Sequence, residues 1–185
     1  MMMEIIRYLL IDFWKQETDS RIKEYPLMNG GPWLSWTIVI VYIFIVKIFG
    51  PKFMKKRPAF NLKPVIIIYN IILILINGYF FYQYSIVNRF GIDLNIHHFE
   101  RIASQSEQSS SCSLILFYMF MLSKYLDMIE TIIFLLRKKF QQITILHVYH
   151  HSIAPILVHL YIKISPCGGP GTIFPLLNSF VHTGK

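Results

Sequence analysis

Long apolar runs recur along the chain and are separated by short polar segments. They cover about residues 33–49, 64–87, 112–136 and 143–164, and a fifth run begins near residue 172. A helix needs about 20 residues to cross the hydrocarbon core of a bilayer, and these runs come close to that length. The pattern predicts an all-α membrane protein, a polytopic bundle of four full transmembrane helices and a partial fifth.

Turn-forming residues mark the ends of the runs. Gly50 and Pro51 are predicted to stop the first span, and the Pro- and Gly-rich segment 166–171 is predicted to form a tight turn before the fifth. We divide the chain into an N-terminal segment, residues 1–32, whose charges are mixed, and a transmembrane domain, residues 33–185.

Composition and charge predict how the chain is oriented in the membrane. The chain is 54% hydrophobic with a net charge of +8, and its basic residues cluster in the loops that follow the first and third runs. By the positive-inside rule these loops are cytosolic, whereas the N-terminus and the loop 88–111 are lumenal. This placement argues against nucleic acid as a partner. Cys112 and Cys167 would then both lie on the lumenal side, where they could pair.

The third run carries charges where charges are costly. Lys124, Asp127, Glu130 and Thr131 stand among apolar neighbours. A charge near the centre of a bilayer costs about 2.5–3.5 kcal/mol, so these groups should pair or face a polar cavity. An ion pair between Lys124 and Asp127 would explain two of the three charges and would leave Glu130 without a reason.

Polar residues also share a face in the next two runs. His147, His150 and His151 are spaced by three and four residues, and Asn178 and His182 are four residues apart. At 1.5 Å per helical residue, the carboxylates of the third run and these histidines lie at a similar depth, about 10–15 Å from the cytosolic ends. We therefore predict a site within the membrane that opens toward the cytosol.

These residue types favour acyl-transfer or proton-transfer chemistry. Histidines in a partly desolvated pocket act as bases, nucleophiles or metal ligands, and carboxylates orient an imidazole. Asn178 could stabilise an oxyanion. Arg137, Lys138 and Lys139 stand at the cytosolic mouth, where they could bind the phosphates of coenzyme A or act only as topology signals.

Three motifs resemble those of the fatty acid elongase (ELO) family. The segment Leu146-His147-Val148-Tyr149-His150-His151 resembles the family's histidine box. The stretch from Ser123 to Thr131 with the following basic residues is similar to the segment that precedes that box, and residues 178–182 are similar to the start of the next motif. Their order and spacing agree over the third to fifth runs.

The resemblance implies a seven-span enzyme of the endoplasmic reticulum. It would be a very-long-chain 3-ketoacyl-CoA synthase, condensing a long-chain acyl-CoA with malonyl-CoA and releasing CO2 and CoA, with no metal and no cofactor. Its surroundings would be the lipid bilayer, with other elongation-cycle enzymes or a second copy of the chain as partners. By position, His150 and His151 would be the central imidazoles, with His147 and His182 beside them. Which histidine is nucleophile or base stays open.

Two features depart from the family pattern. The family usually has Glu at position 127 and Asp at position 130, and here Asp127 and Glu130 exchange them. After His182 the sequence reads Thr-Gly-Lys in place of an apolar, tyrosine-containing continuation. We therefore expect a chain truncated after the start of the fifth span.

Two other functions are compatible with parts of the pattern. A non-catalytic, truncated elongase-like membrane protein would also carry these motifs. A histidine-box di-iron desaturase or hydroxylase would need more histidines, in several boxes, than the seven present.

Overall fold

The computed structural model describes residues 2–18, 20–87, 107–164 and 169–184. This part of the chain is helical and contains no strand, so the predicted all-α class is confirmed. The helices are α1 (Met2–Arg7), α2 (Phe13–Glu17), α3 (Trp33–Phe44), α4 (Gly50–Met54), α5 (Lys63–Val87), α6 (Glu107–Leu136), α7 (Ile145–Ile164) and α8 (Ile173–Thr183).

Three helical segments are long and apolar enough to cross a membrane, which makes the chain a multi-pass membrane protein. They are Trp33–Met54, Lys63–Ile86 and Ile145–Lys163. Helix α6 has 30 residues, but its serine-rich start and internal charges lower its hydropathy. Helix α8 has 11 residues. The predicted count of four full spans and a partial fifth therefore stays a prediction.

The prediction that Gly50 and Pro51 stop the first span is wrong. The helix continues from α3 through the π-helical segment Ile45–Phe49 into α4. The Gly50 N–H donates to the carbonyl of Ile45, five residues back, and Pro51 follows in the first turn of α4. Proline is tolerated in a first helical turn, because the N–H that it lacks would have no helical partner there. The wider π turn before Gly50 places Pro51 in such a position, and the helix continues past it.

Gly50 also allows a close approach between helices. It is buried, and a Cβ at this position would overlap the Leu135 side chain of α6 and lie 2.7 Å from the Ile45 carbonyl oxygen. We expect Gly50→Ala to destabilise the protein by about 1–3 kcal/mol, because overpacking displaces neighbours. The melting temperature in detergent measures this effect. Gly78→Ala is the matched control, since its Cβ would meet only the Thr183 methyl at 3.9 Å; equal melting of both variants would refute the expectation.

The packing of the long helices brings α6, α7 and α8 together. Helix α5 packs along α8, where the rings of Phe81 and Phe180 lie 5.4 Å apart. Helix α7 packs against both α6 and α3. Val39 of α3 and Val46 of the π-helical segment that follows it share a buried apolar cluster with Met128 of α6. Helix α5 exposes a row of isoleucines to the outside, as a bilayer requires.

The N-terminal segment packs on one end of this bundle. Ile22 and Met28 are buried in the same apolar cluster as Phe117 of α6. The Lys163 ammonium, near the end of α7, donates to the carbonyls of Met28, at 2.7 Å, and Gly30. Residues 20–30 thus cover the end of α7 opposite its three predicted site histidines.

The pairing that the topology would allow between Cys112 and Cys167 is not tested by this structure. Cys167 and the loop residues 88–106 lie outside the described residues, and the side chain of Cys112 is not described.

Candidate active site

The polar residues predicted from α6, α7 and α8 form one buried cluster. Successive residues three or four apart on a helix project from the same face, so each helix presents its polar side chains together. On α6 the side chains of Lys124, Asp127 and Thr131 are almost fully buried. On α8 Asn178 and His182 are buried as well.

Lys124 connects α6 with α8. Its ammonium donates to Asp127 Oδ2 at 2.7 Å and to Asn178 Oδ1 at 2.6 Å, and it lies 4.6 Å from the centre of the Phe120 ring. The ion pair that the spacing of Lys124 and Asp127 allows is therefore present, and Lys124 also bonds to a second helix. Because Asn178 Oδ1 accepts from Lys124, the amide is oriented with its NH2 as the remaining donor group.

Glu130 reaches from α6 to the histidines of α7. Its Oε2 lies 3.6 Å from Nε2 of His151, and the rings of His147 and His151 have their centroids 4.4 Å apart. This contact explains the third charge of α6, which an ion pair between Lys124 and Asp127 alone would leave unexplained. A carboxylate at this distance can orient the imidazole.

The histidine of α8 faces those of α7. The His150 and His182 rings are nearly parallel, with an interplanar angle of 17° and centroids 6.2 Å apart. The His151 and His182 rings are nearly perpendicular at 6.5 Å. Four imidazoles from two helices thus line one volume beside the carboxylates of α6.

Tyr42 of α3 belongs to this cluster, and sequence reasoning missed it. Its hydroxyl donates to Thr131 Oγ1 at 2.7 Å, and that oxygen lies 2.9 Å from His147 Nε2. Tyr42 stands in an apolar run, and the residues three and four positions away from it on either side are all apolar. The available sequence signal was helical spacing, which places Tyr42 on one face with Ser35, Val39 and Val46. The structure buries all four side chains.

The three basic residues predicted to bind coenzyme A follow the histidine-facing part of α6. Arg137 comes directly after the last residue of α6, and Lys138 adopts a positive φ of 57° as the chain turns. Arg137 lies seven residues beyond Glu130, about 10 Å along the helix axis. A role in binding phosphate stays a prediction.

One subset of the cluster has the composition of a metal site. Glu130, His147 and His151 each offer one ligand atom, and these atoms lie within 4.8 Å of one another. Two imidazoles and a carboxylate are a donor set that binds zinc or iron in proteins. The prediction that no metal is needed therefore requires an experiment.

The arrangement suits acyl transfer in a water-poor environment. Imidazoles can accept an acyl group or a proton, Glu130 can orient His151, and the Asn178 amide can donate to a developing oxyanion. The structure brings together the predicted residues of α6, α7 and α8. Their catalytic roles stay predictions.

Comparisons with known proteins agree with the motifs. A model described as "ELO: GNS1/SUR4 family" matches residues 27–184. Very long chain fatty acid elongase 7 of Drosophila melanogaster is 32% identical over 174 residues, covering 92% of this chain and 51% of that protein. Very long chain fatty acid elongase 1 of Mus musculus is 34% identical over 167 residues, covering 90% and 58%. The chain thus spans between half and three-fifths of the length of these relatives.

Proposed function

Because the chain belongs to the ELO (GNS1/SUR4) family, we propose that it acts in fatty acid elongation as the condensing component. The substrates would be a long-chain acyl-CoA and malonyl-CoA, and the product a 3-ketoacyl-CoA. The observation that supports this most is the convergence of His147, His150, His151 and His182 beside the Lys124–Asn178 bond.

The reaction divides into two bond changes. The malonyl thioester loses CO2, and the electron pair of the broken carbon–carbon bond forms an enolate. On the direct route the enolate carbon attacks the acyl thioester and the CoA thiolate leaves. On the covalent route the thiolate leaves when the acyl group is transferred to an imidazole, and the imidazole leaves when the enolate carbon attacks. On both routes the thiolate takes up a proton. Both steps develop negative charge on a carbonyl oxygen, and an amide donor can stabilise this charge.

The contacts of each residue in the cluster suggest its role in the reaction. His150, His151 and His182 surround the volume where a thioester would lie, and one of them serves as acyl acceptor or as base. Glu130 holds the His151 imidazole in orientation. Lys124 neutralises Asp127 and fixes the Asn178 amide, so that its NH2 points to the reacting oxygen.

The surroundings follow from the same proposal. The bilayer of the endoplasmic reticulum would hold the protein, with its N-terminus in the lumen and the histidines near the cytosolic side. Arg137, Lys138 and Lys139 would contact the CoA phosphates at the cytosolic mouth. Other enzymes of the elongation cycle or a second copy of the chain would be partners.

A microsomal assay tests the proposal. Microsomes that express the protein, together with any coding sequence that follows Lys185, are supplied with a long-chain acyl-CoA and labelled malonyl-CoA. We expect labelled 3-ketoacyl-CoA above the level of vector-only microsomes, in equal amounts with and without a chelator. Absence of this product would refute the proposal.

Metal analysis of the purified protein tests the competing oxygenase. Stoichiometric iron, together with loss of activity after chelation, would favour a metal-dependent enzyme built on Glu130, His147 and His151.

A further inference from the structure

We propose that Tyr42 is a positioning residue that selects the tautomer of His147 through the hydroxyl of Thr131. The proposal rests on the function given above, because it assigns a role within the same cluster. It concerns a helix, α3, that carries none of the motifs.

Two short hydrogen bonds connect the three side chains. The Tyr42 hydroxyl donates to Thr131 Oγ1 at 2.7 Å, and Thr131 Oγ1 lies 2.9 Å from Nε2 of His147. Tyr42 is 4% exposed and Thr131 is fully buried, so water does not compete for the bond between their hydroxyls. The three residues come from α3, α6 and α7, which pack around Met128 and Val148.

The direction of the first bond determines the direction of the second. A threonine hydroxyl has one proton and two lone pairs. Thr131 Oγ1 accepts the proton of Tyr42, and among the described residues its partners are Tyr42 and His147. A buried hydroxyl proton that makes no hydrogen bond is costly. The Thr131 proton therefore goes to His147, which requires an unprotonated Nε2.

It follows that His147 is neutral and carries its proton on Nδ1. Its ring lies against that of His151, with centroids 4.4 Å apart, and His151 in turn contacts Glu130. The tautomer of His147 therefore determines which of its ring nitrogens can accept a proton beside His151. Tyr42 thus acts on His151 indirectly, through Thr131 and His147.

The expected effect is on turnover more than on substrate binding. In Tyr42→Phe, Thr131 can rotate and accept a proton from His147 Nε2, so both tautomers become populated. We expect kcat for condensation to fall about tenfold, the size of one lost hydrogen bond, with KM for acyl-CoA unchanged within about twofold. Thr131→Val should have the same effect, and Thr131→Ser should retain activity.

Tyr125→Phe is the matched control. The Tyr125 hydroxyl bonds to Ser35 Oγ, so this pair also joins α3 to α6. The control removes an interhelical hydroxyl contact of the same kind without a histidine at its end. A loss of packing alone would affect both tyrosine variants equally.

Imidazole 15N spectra of histidine-labelled protein in bilayers report which ring nitrogen of His147 carries the proton. They therefore test the proposal independently of enzyme activity. The His147 signals are assigned by their loss in His147→Asn. We expect an unprotonated Nε2 and a protonated Nδ1 in the unmodified protein and in Tyr125→Phe, and a mixture in Tyr42→Phe and Thr131→Val.

A protonated Nε2 in the unmodified protein, or identical His147 spectra in the unmodified protein and both Tyr42→Phe and Thr131→Val, would overturn the proposal. Should a variant fail to fold, the spectrum of the unmodified protein still decides. If the tautomers are as expected in all variants but no condensation occurs, the proposed function fails, whereas the selection of the His147 tautomer by Tyr42 stands.

Discussion

Alanine at His150 or at His151 is expected to abolish condensation while the protein still folds and inserts into the membrane. Both imidazoles lie within the cluster that faces His182, and an alanine side chain offers no base or nucleophile in their place. Loss of a general base or acid alone lowers turnover by about 10²–10⁴-fold. Formation of labelled 3-ketoacyl-CoA by microsomes measures the loss.

The control for this experiment is on the same helix. Tyr149 lies between the histidines in sequence but is 61% exposed and points away from the cluster, so Tyr149→Ala should retain activity. Glutamine at 150 or 151 preserves more of the side-chain volume and separates chemistry from packing. Retained turnover in both alanine variants, at equal expression, would show that the reaction occurs elsewhere.

Lys124→Met should cause the largest loss of stability. The Lys124 and Asp127 side chains are 1% and 4% exposed, and their bond is 2.7 Å long. Removing one partner of a buried ion pair leaves an uncompensated charge and typically costs about 3–5 kcal/mol. The bond to Asn178, which joins α6 to α8, is lost as well. Thermal unfolding in detergent should show a clearly lowered melting temperature.

The double variant Lys124→Met with Asp127→Asn shows whether the unpaired buried charge of Asp127 causes the loss of stability. It removes both charges, so we expect it to recover a large part of the stability that Lys124→Met loses. Lys55→Met, at an exposed position after α4, should melt like the unmodified protein. If the double variant melts no higher than the single one, the buried charge is not what destabilises the protein.

The parts of the site that lie within one helix could be predicted from sequence spacing. Residues at intervals of three and four share a face, and this placed His147, His150 and His151 together. The contacts between helices depended on an estimate of depth, because sequence spacing does not determine how two helices rotate against each other. That estimate placed the carboxylates of the third run at the level of the histidines, and Glu130 Oε2 lies 3.6 Å from His151 Nε2.

The exchange of Asp and Glu between positions 127 and 130 has a structural reason here. Asp127 needs only to reach Lys124, three residues earlier on its own helix. Glu130 has one more methylene and reaches His151 on α7. The sequence showed that the two acids were exchanged, but the distances that each must span depend on the packing of α6 against α7.

Two other features could not be predicted because they depend on packing between distant segments. Gly50 and Pro51 are common helix-ending residues, and only the π turn before them lets the helix continue. Tyr42 becomes part of the site only because α3 packs against α6 and α7. The helical spacing of Ser35, Val39, Tyr42 and Val46 indicates that Tyr42 is buried, but it does not show which helices Tyr42 contacts.

The central claim is that the imidazoles of α7 and α8 and the polar groups of α6 enclose one acyl-CoA site. Photo-cross-linking with a long-chain acyl-CoA that carries a diazirine close to the thioester tests it most directly. We expect the label on peptides that contain residues 147–151 and 178–182, in amounts that unlabelled acyl-CoA reduces. Label confined to outward-facing residues such as Ile145 and Leu146, or unaffected by competitor, would contradict the claim.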